Sequence, residues 1–182
     1  MGLCLVQKYI NYVTVTLISM KEKLLRWLDE DDREYEVSDH QALNWMVQLK
    51  HGNRMVLLGN PKKNKKRLEV VYKLNVSEEH KQVLKKLNDK QRSGFEKSLV
   101  MMLASDSNIY NIQRDDQKLP DSIVIKKHLY DEELEKGKFF DTIQYVVNMG
   151  MRTTMHFQSL GGAKMTEQEE VSSTKTGPSI YR

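Results

Sequence analysis

Residues 67–76, RLEVVYKLNV, constrain the fold more than any other stretch of the chain. Leu68, Val70, Tyr72, Leu74 and Val76 fall on one side of an extended backbone, and Glu69, Lys73 and Asn75 fall on the other with Val71. A strand of this kind must bury one face, so it requires a sheet and a layer to cover it. Its neighbours match it. ALNWMVQLK aligns Leu43, Trp45, Val47 and Leu49 on one face, HGN reads as a hairpin turn, and RMVLL reads as a short strand returning from it.

The covering layer is legible as helices. Leu24, Leu25, Trp27 and Leu28 give an apolar stripe to a first helix over 20–32, and the acidic run DEDDREYE predicts that it ends early. Ser77, with Glu78 and Glu79 behind it, opens a second, long helix. Its stripe runs through Leu84, Leu87, Gln91, Phe95, Leu99 and Leu103 and stops near ASDSN. IYNIQR and SIVIKKHLY form a second strand pair around the turn DDQKLPD. Asp131 is expected to cap a last helix whose inner face carries Phe140, Ile143, Val146, Val147, Gly150, Thr154 and Phe157, with GG as its stop. The expected order is α-β-β-β-α-β-β-α, a single α+β domain with an antiparallel sheet packed against helices. There are no internal repeats.

At 182 residues the chain has the length of one domain. Its single cysteine, Cys4, excludes a disulfide scaffold and a thiolate metal cage, and a reducing, cytoplasmic setting is expected. Residues 1–19 are apolar but interrupted by Gln7, Lys8 and Asn11, so they read neither as a signal nor as a span. They read as an N-terminal extension upstream of the true start at Met20. As a genuine part of the fold they would instead contribute VTVTLI as an edge strand, and Ser19 with Glu22 as a capping box. The domain is assigned to 20–162, and 163–182, polar and without periodicity, to a disordered tail.

The order of elements, together with VSEEHKQVLKKL, KLPDSIVIKKHLYDEEL and FFDTIQYVV, resembles a family of small, mostly archaeal proteins of unknown function with a type III secretion chaperone-like fold. The YbjN-like proteins share that fold. The resemblance spans about Met20 to Leu160. It implies a compact module that binds other proteins, often as a homodimer, and it brings no catalytic residues.

Read for chemistry, the chain offers little. The five histidines, His40, His51, His80, His128 and His156, are scattered, and no two stand at a spacing that aims both at one metal. GNPKKNKK lacks the second glycine and the Lys-Ser/Thr pair of a phosphate loop, and it joins two strands. Asp115 and Asp116 suit a turn. No catalytic residue, cofactor or metal is expected, and the chain reads as a non-enzyme. Two surfaces remain. Lys62, Lys63, Lys65, Lys66 and Arg67 are a candidate polyanion contact, although no aromatic side chain interleaves them for base stacking. The charge around them is uneven: residues 20–41 hold 4 basic and 8 acidic side chains, and residues 42–99 hold 14 and 5. Met101, Met102, Met151 and Met155 lie beside the apolar stripes of two helices and are a candidate partner interface. A protein-interaction module, chaperone-like or regulatory and homodimeric, ranks first. A nucleic-acid-associated protein using the lysine loop ranks second.

Overall fold

The computed structural model describes residues 19–105 and 109–160. Helix α1 (Met20–Glu30) opens on a complete capping box: Ser19 Oγ accepts from the Glu22 N–H, and the Glu22 carboxylate accepts from the Ser19 N–H at 2.9 Å. It ends early, as the acidic run requires. Asp32 takes a left-handed conformation (φ 51°), and the Arg33 N–H reaches back to the Leu28 carbonyl at 2.9 Å.

A strand absent from the expected order begins at the end of the acidic run. Strand β1 (Tyr35–Ser38) pairs with β2 (Leu43–His51), setting Tyr35 opposite Leu49 and Val37 opposite Val47. Four residues are too few for a period to register, and the pairing partner supplies the order. Gly52 (φ 62°) turns β2 into β3 (Arg54–Pro61), and β4 (Arg67–Asn75) follows. The second pair, β5 (Ile109–Arg114) and β6 (Pro120–Tyr130), joins the first group through an uninterrupted β4–β6 ladder from Arg67↔Tyr130 to Asn75↔Ser122. Among the described residues the result is one antiparallel six-stranded sheet in the order β1-β2-β3-β4-β6-β5.

The expected long middle helix is two helices. Helix α2 (Glu78–Lys86) is capped by Ser77, as expected, and stops where Leu87 becomes extended. Asn88 then caps α3 (Asp89–Ala104) in a second capping box with Gln91. Gln91 is therefore exposed at a helix start and not part of an apolar stripe, whereas Phe95, Leu99 and Leu103 are buried as expected.

After β6, Asp131–Glu133 form a 3-10 turn, so Asp131 caps no α-helix. Helix α4 (Lys136–Gln158) starts behind Glu135 without a side-chain cap. It buries Phe139, Ile143, Val146, Val147, Met149, Gly150, Thr153 and Phe157. Phe140 and Thr154 are only half-buried, their places taken by Phe139 and Thr153, whereas Ile143, Val146, Val147, Gly150 and Phe157 are buried as expected. Two contacts fix this face. The Phe139 ring meets Trp27 of α1 at 5.8 Å between centroids, and Gly150 lies against Tyr72 so closely that a Cβ there would sit 2.2 Å from the ring.

Helix α4 packs on β3, β4 and β6, and α3 packs on α4 and β5. The core between the layers contains Leu68, Val70, Tyr72 and Leu74 from β4, Ile123, Ile125 and Leu129 from β6, and the buried faces of the helices. Lys81 of α2, itself 8% exposed, ties this layer to the start of β6 through Asp121 at 2.6 Å.

Candidate interaction surfaces

The lysine loop is supported by a bulge in β2, the strand that pairs with β3. The β2–β3 register shifts between Leu43 and Trp45, which leaves Asn44 as the extra residue. Its side-chain N–H donates to Asn60 Oδ1 at 2.7 Å. Asn60 is 4% exposed, and its own Nδ2 donates to the carbonyls of Lys65 (2.9 Å) and Arg67 (2.8 Å). Within the loop Asn64 accepts from the Lys66 and Arg67 N–H groups, through its side chain and its carbonyl respectively. Asp131 N–H closes the far side on the Lys66 carbonyl at 2.9 Å. The backbone between Pro61 and Arg67 is thus held from beneath, while the side chains of Lys62, Lys63, Lys65 and Lys66 are exposed.

The structure divides the five basic residues. Lys66 approaches Glu132 at 3.6 Å with both ends largely in solvent, a pairing of little energetic weight. Arg67 turns away from the loop: its guanidinium contacts Glu69 at 2.7 Å. Glu69 is 3% exposed and also meets Lys126 (3.4 Å) and His128 (3.5 Å) from β6. Burial alone would push this carboxyl up. The hydrogen bond from His128 and the charges of Lys126 and Arg67 outweigh it and hold the group at about 2. Arg67 therefore serves this cluster, and the exposed cationic set is the four lysines.

The methionines divide as well. Met101 and Met155 are each 65% exposed and Met151 is 40% exposed, whereas Met102 is half-buried against the core. Met151 and Met155 are one turn apart on α4, outside its buried stripe. On α3, Val100 joins Met101 at the surface.

The structure adds two serine–histidine pairs that spacing did not reveal. His156 Nε2 lies 3.0 Å from Ser98 Oγ and 3.3 Å from the Phe95 carbonyl, and its ring stacks on Phe95. Ser98 Oγ already donates to the Phe95 carbonyl, so Nε2 carries the proton and donates to the serine, the reverse of what a general base needs. Ser77 and His80 pair at 2.8 Å inside the α2 cap, with His80 fully buried edge-on to Phe157. Both pairs pin helices. Asp115 Oδ1 accepts from the Gln117 and Leu119 N–H groups, which makes it the organiser of the β5–β6 turn. Among the described residues no group of three or more His, Cys, Asp or Glu side chains is placed to hold a metal ion, and no helix is long and apolar enough to cross a membrane.

Asn60 and Glu69 are the two residues that sequence reasoning passed over. Each had a faint signal: an asparagine at a strand end before proline, and the single carboxylate within a basic stretch.

Fold and surfaces together define a single α+β module with a six-stranded antiparallel sheet, helices packed on it, and a fixed basic loop at one end. Residues 20–157 match the family described as "Uncharacterized conserved protein (DUF2299)", and the chain belongs to that family. An uncharacterized protein from Methanothermobacter thermautotrophicus has the same fold: TM-score 0.72 at 14% identity, over 76% of this chain and 96% of that one. YbjN from E. coli aligns with a TM-score of 0.45 at 12% identity, over 79% of this chain and 92% of its own. No curated protein matches the sequence. At 14% identity the likeness to the Methanothermobacter protein concerns the fold alone.

Proposed function

We propose that the protein is a non-enzymatic interaction module that meets a protein partner, a second copy of itself included, through the outer surface of α3 and α4. The observation that supports this is the exposure of Met101, Met151 and Met155 with Val100 on helices whose opposite stripes already fill the core. Methionine is flexible and polarizable and adapts to irregular partner surfaces. Sedimentation at micromolar concentration tests the homodimeric form. The expected result is twice the chain mass, reduced by Met151→Glu or Met155→Glu, because either places a charge in a desolvated contact. A monomer at every concentration, with no loss of any partner from the Glu variants, overturns the reading.

A second reading uses the loop. Lys62, Lys63, Lys65 and Lys66 are exposed on a backbone fixed by Asn60, an arrangement suited to phosphates. Such binding carries no base readout, so it is weak, indifferent to sequence, and lost as salt rises. A preference for one DNA or RNA at physiological salt would refute that account.

A further inference from the structure

Among the described residues, the charge beside the exposed methionines has one sign. On α4 the last carboxylate is Asp141, and none follows it as far as Leu160. On α3 the last is Glu96, which Arg114 holds through both oxygens at 3.1 and 2.9 Å. Cations continue past both points. Lys97 stands one turn before Met101, and Arg152 lies between Met151 and Met155 in the chain. Both side chains are exposed, and neither pairs with a carboxylate among the described residues. Successive residues of a helix advance by about 100° around its axis. Ser98 touches His156 at 3.0 Å, which marks the flank of α4 that meets α3. Going outward around α4 from that flank come Arg152, then Met155, then Met151. On α3 the residues that follow Ser98 toward solvent are Met101 and Lys97. A groove of about 480 Å³ beside Lys97, Val100 and Met101 gives a partner room on the α3 side.

We propose that the partner of this surface is an acidic amphipathic helix of another protein, its apolar side against the methionines and its carboxylates beside Lys97 and Arg152. Such a partner presupposes the methionine contact proposed above and adds a sign of charge to it. Flexible methionines supply contact area without selecting a shape. The cations at their border supply the selection, because opposite charge is favoured there and like charge is penalised. A helix is the fitting form, since its apolar stripe and flanking carboxylates reproduce the layout in mirror image. A second copy held by the same methionines brings Lys97 and Arg152 toward the same cations, so the acidic helix displaces it.

Two fluorescent helical peptides test this by anisotropy with the full chain at physiological salt. Both carry leucines along one side; glutamates flank them in one peptide and lysines in the other. The glutamate peptide should bind about tenfold more tightly than its twin, since attractive pairs replace repulsive ones at two exposed cations. Lys97→Glu with Arg152→Glu should reverse the order. Met101→Ser with Met155→Ser, at two positions 65% exposed and so tolerated by the fold, should weaken the binding of both peptides. Replacing Lys62, Lys63, Lys65 and Lys66 with serine should change neither. Equal binding of the two peptides that the methionine variant abolishes overturns the acidic partner and leaves the methionine contact standing. Binding indifferent to the methionine variant removes that contact as well. A glutamate preference that survives Lys97→Glu with Arg152→Glu, or that disappears with the serine loop, overturns the proposal, as does binding of neither peptide.

Discussion

The two faces of β4 are stabilised in different ways. On the inner side Leu68, Val70, Tyr72 and Leu74 meet the helices in close packing, at its tightest where Gly150 admits the Tyr72 ring. On the outer side Glu69 sits among Arg67, Lys126 and His128, with Val71 buried two residues further along the strand. The first face depends on shape and the second on charge, although both come from one alternating segment. Period two assigns a residue to a side. It does not state what covers that side.

That contrast can be broken most severely from the packed side. Gly150→Ala should destabilise by about 3 kcal/mol, the upper range for overpacking, because the added carbon would overlap the buried Tyr72 ring and force it or α4 to shift. Thermal unfolding measures it, and a loss under about 1 kcal/mol would show that α4 can shift. The charged side should yield next. Glu69→Gln leaves Arg67 and Lys126 without their carboxylate and should cost roughly 2 kcal/mol, discounted because both cations keep some solvent.

The same residue sets an acid limit. Its folded value of about 2 lies below the ordinary 4.5, so its contribution is complete above 4.5 and is lost as pH falls from there through 2. The wild type should therefore lose stability more steeply than Glu69→Gln across that window in a series of denaturant titrations. Parallel slopes would remove Glu69 from the account.

The loop sharpens the comparison at lower energies. Asn60→Ala leaves two loop carbonyls and the Asn44 amide short of a partner and should cost about 1–2 kcal/mol. Replacing Lys62, Lys63 and Lys65 with serine should stay within about 0.5 kcal/mol, since none of them has a buried role. Equal effects from the two substitutions would mean that the loop is held by its charges and not by Asn60.

Much of this fold was legible in the sequence because its main elements are long and strongly patterned. The β2–β3–β4 order, the β5–β6 pair, the Ser77 cap and most of the α4 stripe follow from period and capping chemistry. What escaped has specific causes. Strand β1 is too short to show a period and is ordered by β2. The break at Asn88 was masked because Leu84, Leu87 and Gln91 continue a helical spacing straight through it, although Asn88 and Gln91 themselves spell a capping box. The burial of Phe139 in place of Phe140 goes with its ring contact to Trp27 of α1, 112 positions away in the chain. For the candidate surfaces, the four lysines are exposed as a hairpin loop should be, whereas apolar spacing alone does not say that Met101, Met151 and Met155 stay outside the core. The inward turn of Arg67 requires Lys126 and His128 to be brought beside Glu69 by the β4–β6 ladder, which no local pattern encodes.

The Asn44–Asn60 clamp has a consequence for the entropy of association. Fixing one residue's backbone costs about 1–2 kcal/mol, and for the segment between Pro61 and Arg67 that ordering is completed during folding by hydrogen bonds from below. A partner that meets this loop has only the lysine side chains left to immobilise, at about 0.5–1.5 kcal/mol each. Asn60→Ala returns the backbone share to the moment of contact. It should weaken any binding at the loop while leaving all four positive charges in place, so that affinity falls and its salt dependence does not.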